Sequence, residues 1–140
     1  MSAPLWGLLC HMVADSLHPT PHEIHAAMLY ADVLVPVKEL VVADGPECME
    51  KPKHLGEYRR DLQRIRLVDT WREEGLTILI HELVHHRDFL LGIEPNECNA
   101  TRVAARWAYE NGYAIAFQGQ VLYGLRSGCL LGEVHDKAPD

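Results

Sequence analysis

The fold is decided by residues 70–92, whose sequence is TWREEGLTILIHELVHHRDFLLG. The capping-box pattern from Thr70 to Glu73 predicts the start of a helix, and Gly92 predicts its end. Apolar residues between these limits cover nearly the whole circumference of the helix, so we expect it to be buried. Histidine and glutamate side chains on a buried helix need partners, because an unpaired buried polar group costs roughly 2–7 kcal/mol.

The motif that carries chemistry is His81-Glu82-Leu83-Val84-His85. Residues four apart share one face of a helix, so both imidazoles can reach one zinc ion at about 2.0–2.1 Å. Glu82 is adjacent to the first of these histidines, and we expect it to be a general base that takes a proton from a zinc-bound water. The alternative is a structural helix whose half-exposed histidines are hydrogen-bonded to carbonyl groups.

A catalytic zinc ion needs a third protein ligand. The metzincin pattern would place glycine and histidine where this chain has Asp88 and Leu91, which excludes that class. Glu97 is twelve residues after the second histidine, at the start of the next predicted helix. A short turn between two helices brings them side by side, so we expect Glu97 to be the third ligand, with Glu94 as its competitor.

The rest of the chain predicts an α+β fold, with a small antiparallel sheet packed beside a helical core. Capping and proline signals predict helices after Thr20 and Pro95, and residues 4–17 are compatible with another. A strand pair is expected between Gly56 and Val68, with Arg64–Val68 as an edge strand because charged residues alternate with apolar ones. Residues 33–42 could form a further strand, although they contain a proline. After Tyr113 the pattern is ambiguous between helix and strand.

The composition indicates one globular domain over residues 1–140. The chain has a net charge of −7 and is 48% hydrophobic. An acidic chain is repelled by phosphate backbones, which argues against a nucleic-acid partner. No apolar run is long enough to span a membrane.

The cysteines Cys10, Cys48, Cys98 and Cys129 form no C-x-x-C pair. A domain of this length does not need disulfides, and the first residues lack the features of a secretory signal. We therefore expect buried free thiols, with two disulfides as the alternative, and a cytoplasmic protein.

Residues 56–108 resemble the gluzincin zinc peptidases, through His81-Glu82-Leu83-Val84-His85 followed by Glu97 and Ala100 on the next helix. The compact minigluzincins and the related repressor-cleaving domains are the nearer match. The resemblance implies a zinc-dependent peptidase that acts on a protein or peptide, with a strand lining the substrate cleft.

This chain departs from the thermolysin-like pattern at the residue that orients the first histidine. That pattern has an aspartate where this chain has Thr101. Asn99, Asp88 or a backbone carbonyl could take its place. A different class of function is also open: a catalytically silent, zinc-stabilised module that binds a protein.

Several other side chains have two possible roles. His86 follows the motif and is expected on the surface or behind the ligands. His22 and His25 could bind metal, but a solvated helix face is the simpler interpretation. Three tyrosines could stabilise a developing oxyanion or could simply pack: Tyr109, Tyr113 and Tyr123.

Overall fold

A computed structural model describes residues 19–42, 55–67 and 72–135. These residues form five helices and a three-stranded sheet. The elements in chain order are α1 (Pro21–Tyr30), β1 (Glu39–Val42), β2 (Gly56–Arg59), β3 (Arg64–Leu67), α2 (Arg72–Leu90), α3 (Glu97–Glu110), α4 (Ala114–Arg126) and α5 (Leu131–Val134). The α+β class expected from the sequence is confirmed. The predicted helix over residues 4–17 and the capping box at Thr70 lie outside the described residues.

Helix α1 begins at the capping box that the sequence predicts. The Thr20 hydroxyl accepts a hydrogen bond from the Glu23 amide at 3.1 Å, and the Glu23 carboxylate accepts one from the Thr20 amide at 2.9 Å. Glu23 also forms an ion pair with Arg72 at the start of α2. The cap therefore ties two helices together as well as starting one.

The sheet has the strand order β1-β3-β2. Strand β3 pairs antiparallel with β2, as expected, but parallel with β1, so the sheet is mixed. The expectation that Arg64–Val68 is an edge strand is wrong, because β3 has a partner on each side. Its residues Ile65 and Leu67 are buried, whereas Arg64 and Arg66, which alternate with them, are partly exposed. Alternation of this kind indicates that one face of the strand is buried and does not indicate an edge.

Helix α2 is the centre of the core. Its buried residues contact the sheet on one side and α3 on another, and they include Leu79, Ile80, Leu83 and Val84, each at most 1% exposed. The helix ends as the sequence predicts. Gly92 has φ +68°, a conformation that glycine adopts without strain. The amide of Ile93 donates a hydrogen bond to the Asp88 carbonyl at 2.8 Å.

Helix α3 packs closely on its neighbours because its inward face consists of small residues. The four fully buried alanines of that face are Ala100, Ala104, Ala105 and Ala108. The ambiguous segment after Tyr113 is helix α4. Its Gly124 lies against α5, where an added Cβ would lie 2.4 Å from Val134 Cγ1.

A disulfide joins Cys98, in the first turn of α3, to Cys129, which follows α4. The expectation of free thiols is therefore wrong for this pair, while the other two cysteines lie outside the described residues. Disulfides are rare in reducing compartments, so the bond does not support the cytoplasmic location that the sequence suggested.

None of the helices described here is long and apolar enough to cross a membrane.

Candidate metal centre

His81 and His85 lie one turn apart on the face of α2 that meets α3 and α4. His81 is 4% exposed, and the side chain of His85 is 11% exposed. Their rings are in edge contact, with centroids 5.1 Å apart. The four-residue spacing thus has the effect that the sequence predicts, because it brings two largely buried imidazoles together.

Glu97 reaches both imidazoles from the first turn of α3. Its Oε1 lies 2.5 Å from His81 Nε2, and its Oε2 lies 3.1 Å from His85 Nε2. Asn96 fixes this end of the helix by capping the Asn99 amide at 2.9 Å. The two histidines and Glu97 form one group whose ligand atoms all lie within 4.8 Å of one another, so they could hold a metal ion.

The charges within this group favour its ionised form. Burial alone would raise the pKa of Glu97, but hydrogen bonds from His81 and His85 outweigh it and lower that pKa far below its usual range. Burial alone would lower the pKa of His81, but the hydrogen bond to Glu97 and the charges of Glu82 and Glu97 raise it overall. The carboxylate is therefore anionic between the two imidazoles, and a metal ion that binds there must displace the proton that the raised pKa retains on His81.

Glu82 lies on the wall of a cavity of about 320 Å³ that also borders His81. Glu82 is 6% exposed, and burial raises the pKa of its carboxyl group despite the opposing charges of the two histidines. Strand β2 begins beside it at Gly56, where a Cβ would lie 3.0 Å from Glu82 Oε2. The lack of a side chain at Gly56 lets the start of β2 pack closely against this carboxylate and Ile78.

Tyr123 is the tyrosine that the fold brings to the group. Its ring lies edge-on to His81, with centroids 5.7 Å apart. Burial, followed by the charge of Glu97 and a hydrogen bond to it, raises the pKa of Tyr123 to about 12, so the phenol keeps its proton at neutral pH. The other two candidates lie elsewhere: Tyr109 packs on Phe117, and Tyr113 packs on Trp107.

Gln120, a half-buried residue of α4, was not predicted from the sequence. Its Oε1 lies 3.0 Å from His81 Nδ1. The residues proposed for this place have other partners: Asn99 accepts a hydrogen bond from Arg102, and Asp88 accepts one from Arg87. No local pattern marked Gln120, because it is a single amide in a segment whose secondary structure was ambiguous.

Several other candidates lie outside the group. His86 is fully buried rather than on the surface, and it bridges the Tyr58 hydroxyl and the Val35 carbonyl at 2.7 and 2.9 Å. Glu94, the competitor for the third position, is exposed in the turn before α3. In the described parts of the chain, the exposed pair His22 and His25 belongs to no cluster that could hold a metal ion.

The donor set suits a zinc ion. Two imidazole nitrogens and one carboxylate are a ligand set found in catalytic zinc sites, which keep a further position open. Both histidines direct Nε2 at the same carboxylate, so the three donors converge on one point. Comparison of the chain with protein-family models, curated proteins and solved structures gave no match.

Proposed function

We propose that residues 1–140 form one domain that hydrolyses a peptide bond in a protein or peptide and depends on zinc for this activity. The observation that supports the proposal is the convergence of His81 Nε2, His85 Nε2 and the Glu97 carboxylate on one point beside the buried Glu82. A zinc ion bound there would polarise the substrate carbonyl and make a water molecule acidic enough to lose a proton at neutral pH.

Glu82 is the group that moves the proton. Its carboxylate accepts the proton of the attacking water and then delivers it to the leaving amine, so that no net charge accumulates on the protein. The raised pKa of this buried carboxyl brings its proton affinity closer to what both transfers need. Tyr123 keeps its hydroxyl proton and can donate a hydrogen bond to the oxygen on which negative charge develops.

The substrate lies along β2, which has, in the described part of the chain, the free strand edge that the sequence had suggested for Arg64–Val68. Among the described residues, β2 pairs with β3 on one side only, so the backbone groups of its other edge can bind an extended peptide. Its first residue, Gly56, adjoins Glu82. Ile78 and Ile115 provide apolar walls in the adjoining cavity, which can take a substrate side chain.

Zinc binding tests the ligand assignment. We expect about one zinc ion per chain in the wild type and its loss in the variant carrying both His81→Ala and His85→Ala. Glu97→Ala should weaken zinc binding strongly, whereas the exposed Glu94→Ala is the matched control and should bind as the wild type does. Equal zinc affinities in the two glutamate variants would remove Glu97 from the site.

Glu82→Gln separates an enzyme from a binding module. Glutamine has nearly the same shape as glutamate but cannot accept the proton, so hydrolysis should fall about 10²–10⁴-fold while zinc content is unchanged. Incubation of the wild type with a cell extract, followed by mapping of new peptide termini, supplies the substrate for this assay. If both proteins release the same termini at the same rate, the chain is instead a zinc-stabilised protein-binding module.

A further inference from the structure

A side chain of helix α4, Gln120, contacts the ring nitrogen of His81 that faces away from Glu97. We propose that Gln120 is a positioning residue, which holds the His81 ring by accepting a hydrogen bond from Nδ1 so that Nε2 faces Glu97 and His85. The contact that carries this inference is the 3.0 Å distance between His81 Nδ1 and Gln120 Oε1. The inference rests on the proposed metal site and adds to it a residue from a third helix.

The amide oxygen of Gln120 determines which ring nitrogen keeps its hydrogen. An amide oxygen can only accept a hydrogen bond, so the Nδ1 atom of His81 must donate. The other ring nitrogen, Nε2, lies 2.5 Å from the Glu97 carboxylate and donates a hydrogen bond to it while it carries a proton. When a metal displaces that proton, Nε2 is the atom that can offer a lone pair to the cation. Without the amide, the neutral ring can carry its hydrogen on Nε2 instead, and that tautomer cannot bind a metal through Nε2.

The second histidine lacks this support. The Nδ1 atom of His85 is buried and has no hydrogen-bond partner. Tyr123, one turn after Gln120 on α4, touches the His81 ring from the same side. Helix α4 therefore acts on one of the two histidines, and a change at Gln120 should affect zinc binding through His81 alone.

A set of three variants tests the role. Gln120→Leu replaces the amide with a shorter apolar side chain and removes the acceptor, so zinc affinity should fall about 10–100-fold, the usual effect of losing such a partner. Gln120→Glu retains an acceptor at the same place and should bind zinc at least as tightly as the wild type. Gln118→Leu, on an exposed position of the same helix, is the matched control and should leave the affinity unchanged.

Competition with a chromophoric chelator gives the affinities, and urea unfolding of the metal-free variants shows whether each is folded. A second measurement needs no variant: in the zinc-loaded wild type with ¹⁵N-labelled histidine, His81 should have a protonated Nδ1 and a zinc-shifted Nε2. A zinc-bound Nδ1 would overturn the inference.

The remaining outcomes are also decisive. Wild-type affinity in Gln120→Leu, or an equal loss in Gln120→Glu, shows that the amide oxygen does not position the ring. A wild-type chain that binds no zinc overturns the proposed function together with this inference. Zinc binding that is insensitive to residue 120 overturns this inference alone.

Discussion

The disulfide between Cys98 and Cys129 should be a major source of stability. The two residues are 31 apart in sequence. Closing a loop of this length in the unfolded chain removes conformational entropy worth about 3.7 kcal/mol at 25 °C. Reduction, or the double variant Cys98→Ser/Cys129→Ser, should therefore lower the free energy of unfolding by about 3–4 kcal/mol.

Urea denaturation measures this loss directly. With a slope of about 2 kcal/mol per molar urea, the midpoint should fall by roughly 1.5–2 M, and the slope should change little. Wild-type protein in a reducing agent should match the double variant, which shows that the effect comes from the bond and not from the serines. A thiol assay on the denatured, non-reduced chain should detect at most two of its four cysteines.

A midpoint that falls by less than about 0.5 M would refute the reasoning, as would four reactive thiols in the non-reduced chain. The first result would mean that the bond contributes little stability, and the second would restore the free cysteines that the sequence suggested. The same bond adjoins Glu97, since Cys98 is the next residue, so the zinc affinity of the reduced protein is a useful second observation.

Three further predictions concern the site and its surroundings. Gly56→Ala would place a Cβ 2.4 Å from Ile78 Cγ2 and 3.0 Å from Glu82 Oε2. Urea unfolding should therefore show a loss of about 1–3 kcal/mol in the free energy of unfolding. Gly119→Ala is the control, because its Cβ would meet no atom within 4 Å and should cause no such loss. In metal-free protein, Glu97 raises the pKa of His81 above its usual value of about 6.5. The stabilisation from this ion pair should therefore be full below pH 6.5 and should be lost as the pH rises through the raised pKa. A free energy of unfolding that does not change from pH 6 to 9 in EDTA contradicts this. Zinc at 100 times its dissociation constant should add at most about 2.7 kcal/mol to the free energy of unfolding, the value for an ion that does not bind the unfolded chain. A thermal midpoint that neither zinc nor chelator moves would exclude specific binding to the folded state.

Sequence reasoning predicted the elements whose signals are local. Helix α2 is recognisable from its apolar run and its terminal glycine, and the spacing of His81 and His85 defines a shared face whatever the tertiary structure. Glu97 could be predicted as the third ligand because only a short turn separates its helix from that face. Each of these inferences needs only helix geometry over a few turns.

The features that depend on distant parts of the chain were not predictable in this way. The alternation in β3 reports that one face is buried, but it does not say how many strands pair with it, so its central position was missed. The spacing of the cysteines does not predict that Cys98 pairs with Cys129. Gln120 acts through a contact 39 residues away from His81, and a neutral amide carries no charge pattern that would mark it.

The grouping of the three candidate ligands in a short stretch of chain also bears on folding. His81, His85 and Glu97 all fall between residues 81 and 97, on two helices joined by one turn. Few residues must be ordered to bring them together, so a zinc ion could bind this helical hairpin before the sheet has assembled. An ion that also binds the incompletely folded chain stabilises the native state by less than its native affinity implies. The same local arrangement would let zinc guide the order of folding, with the two ligand-bearing helices joined first and α4 added afterwards.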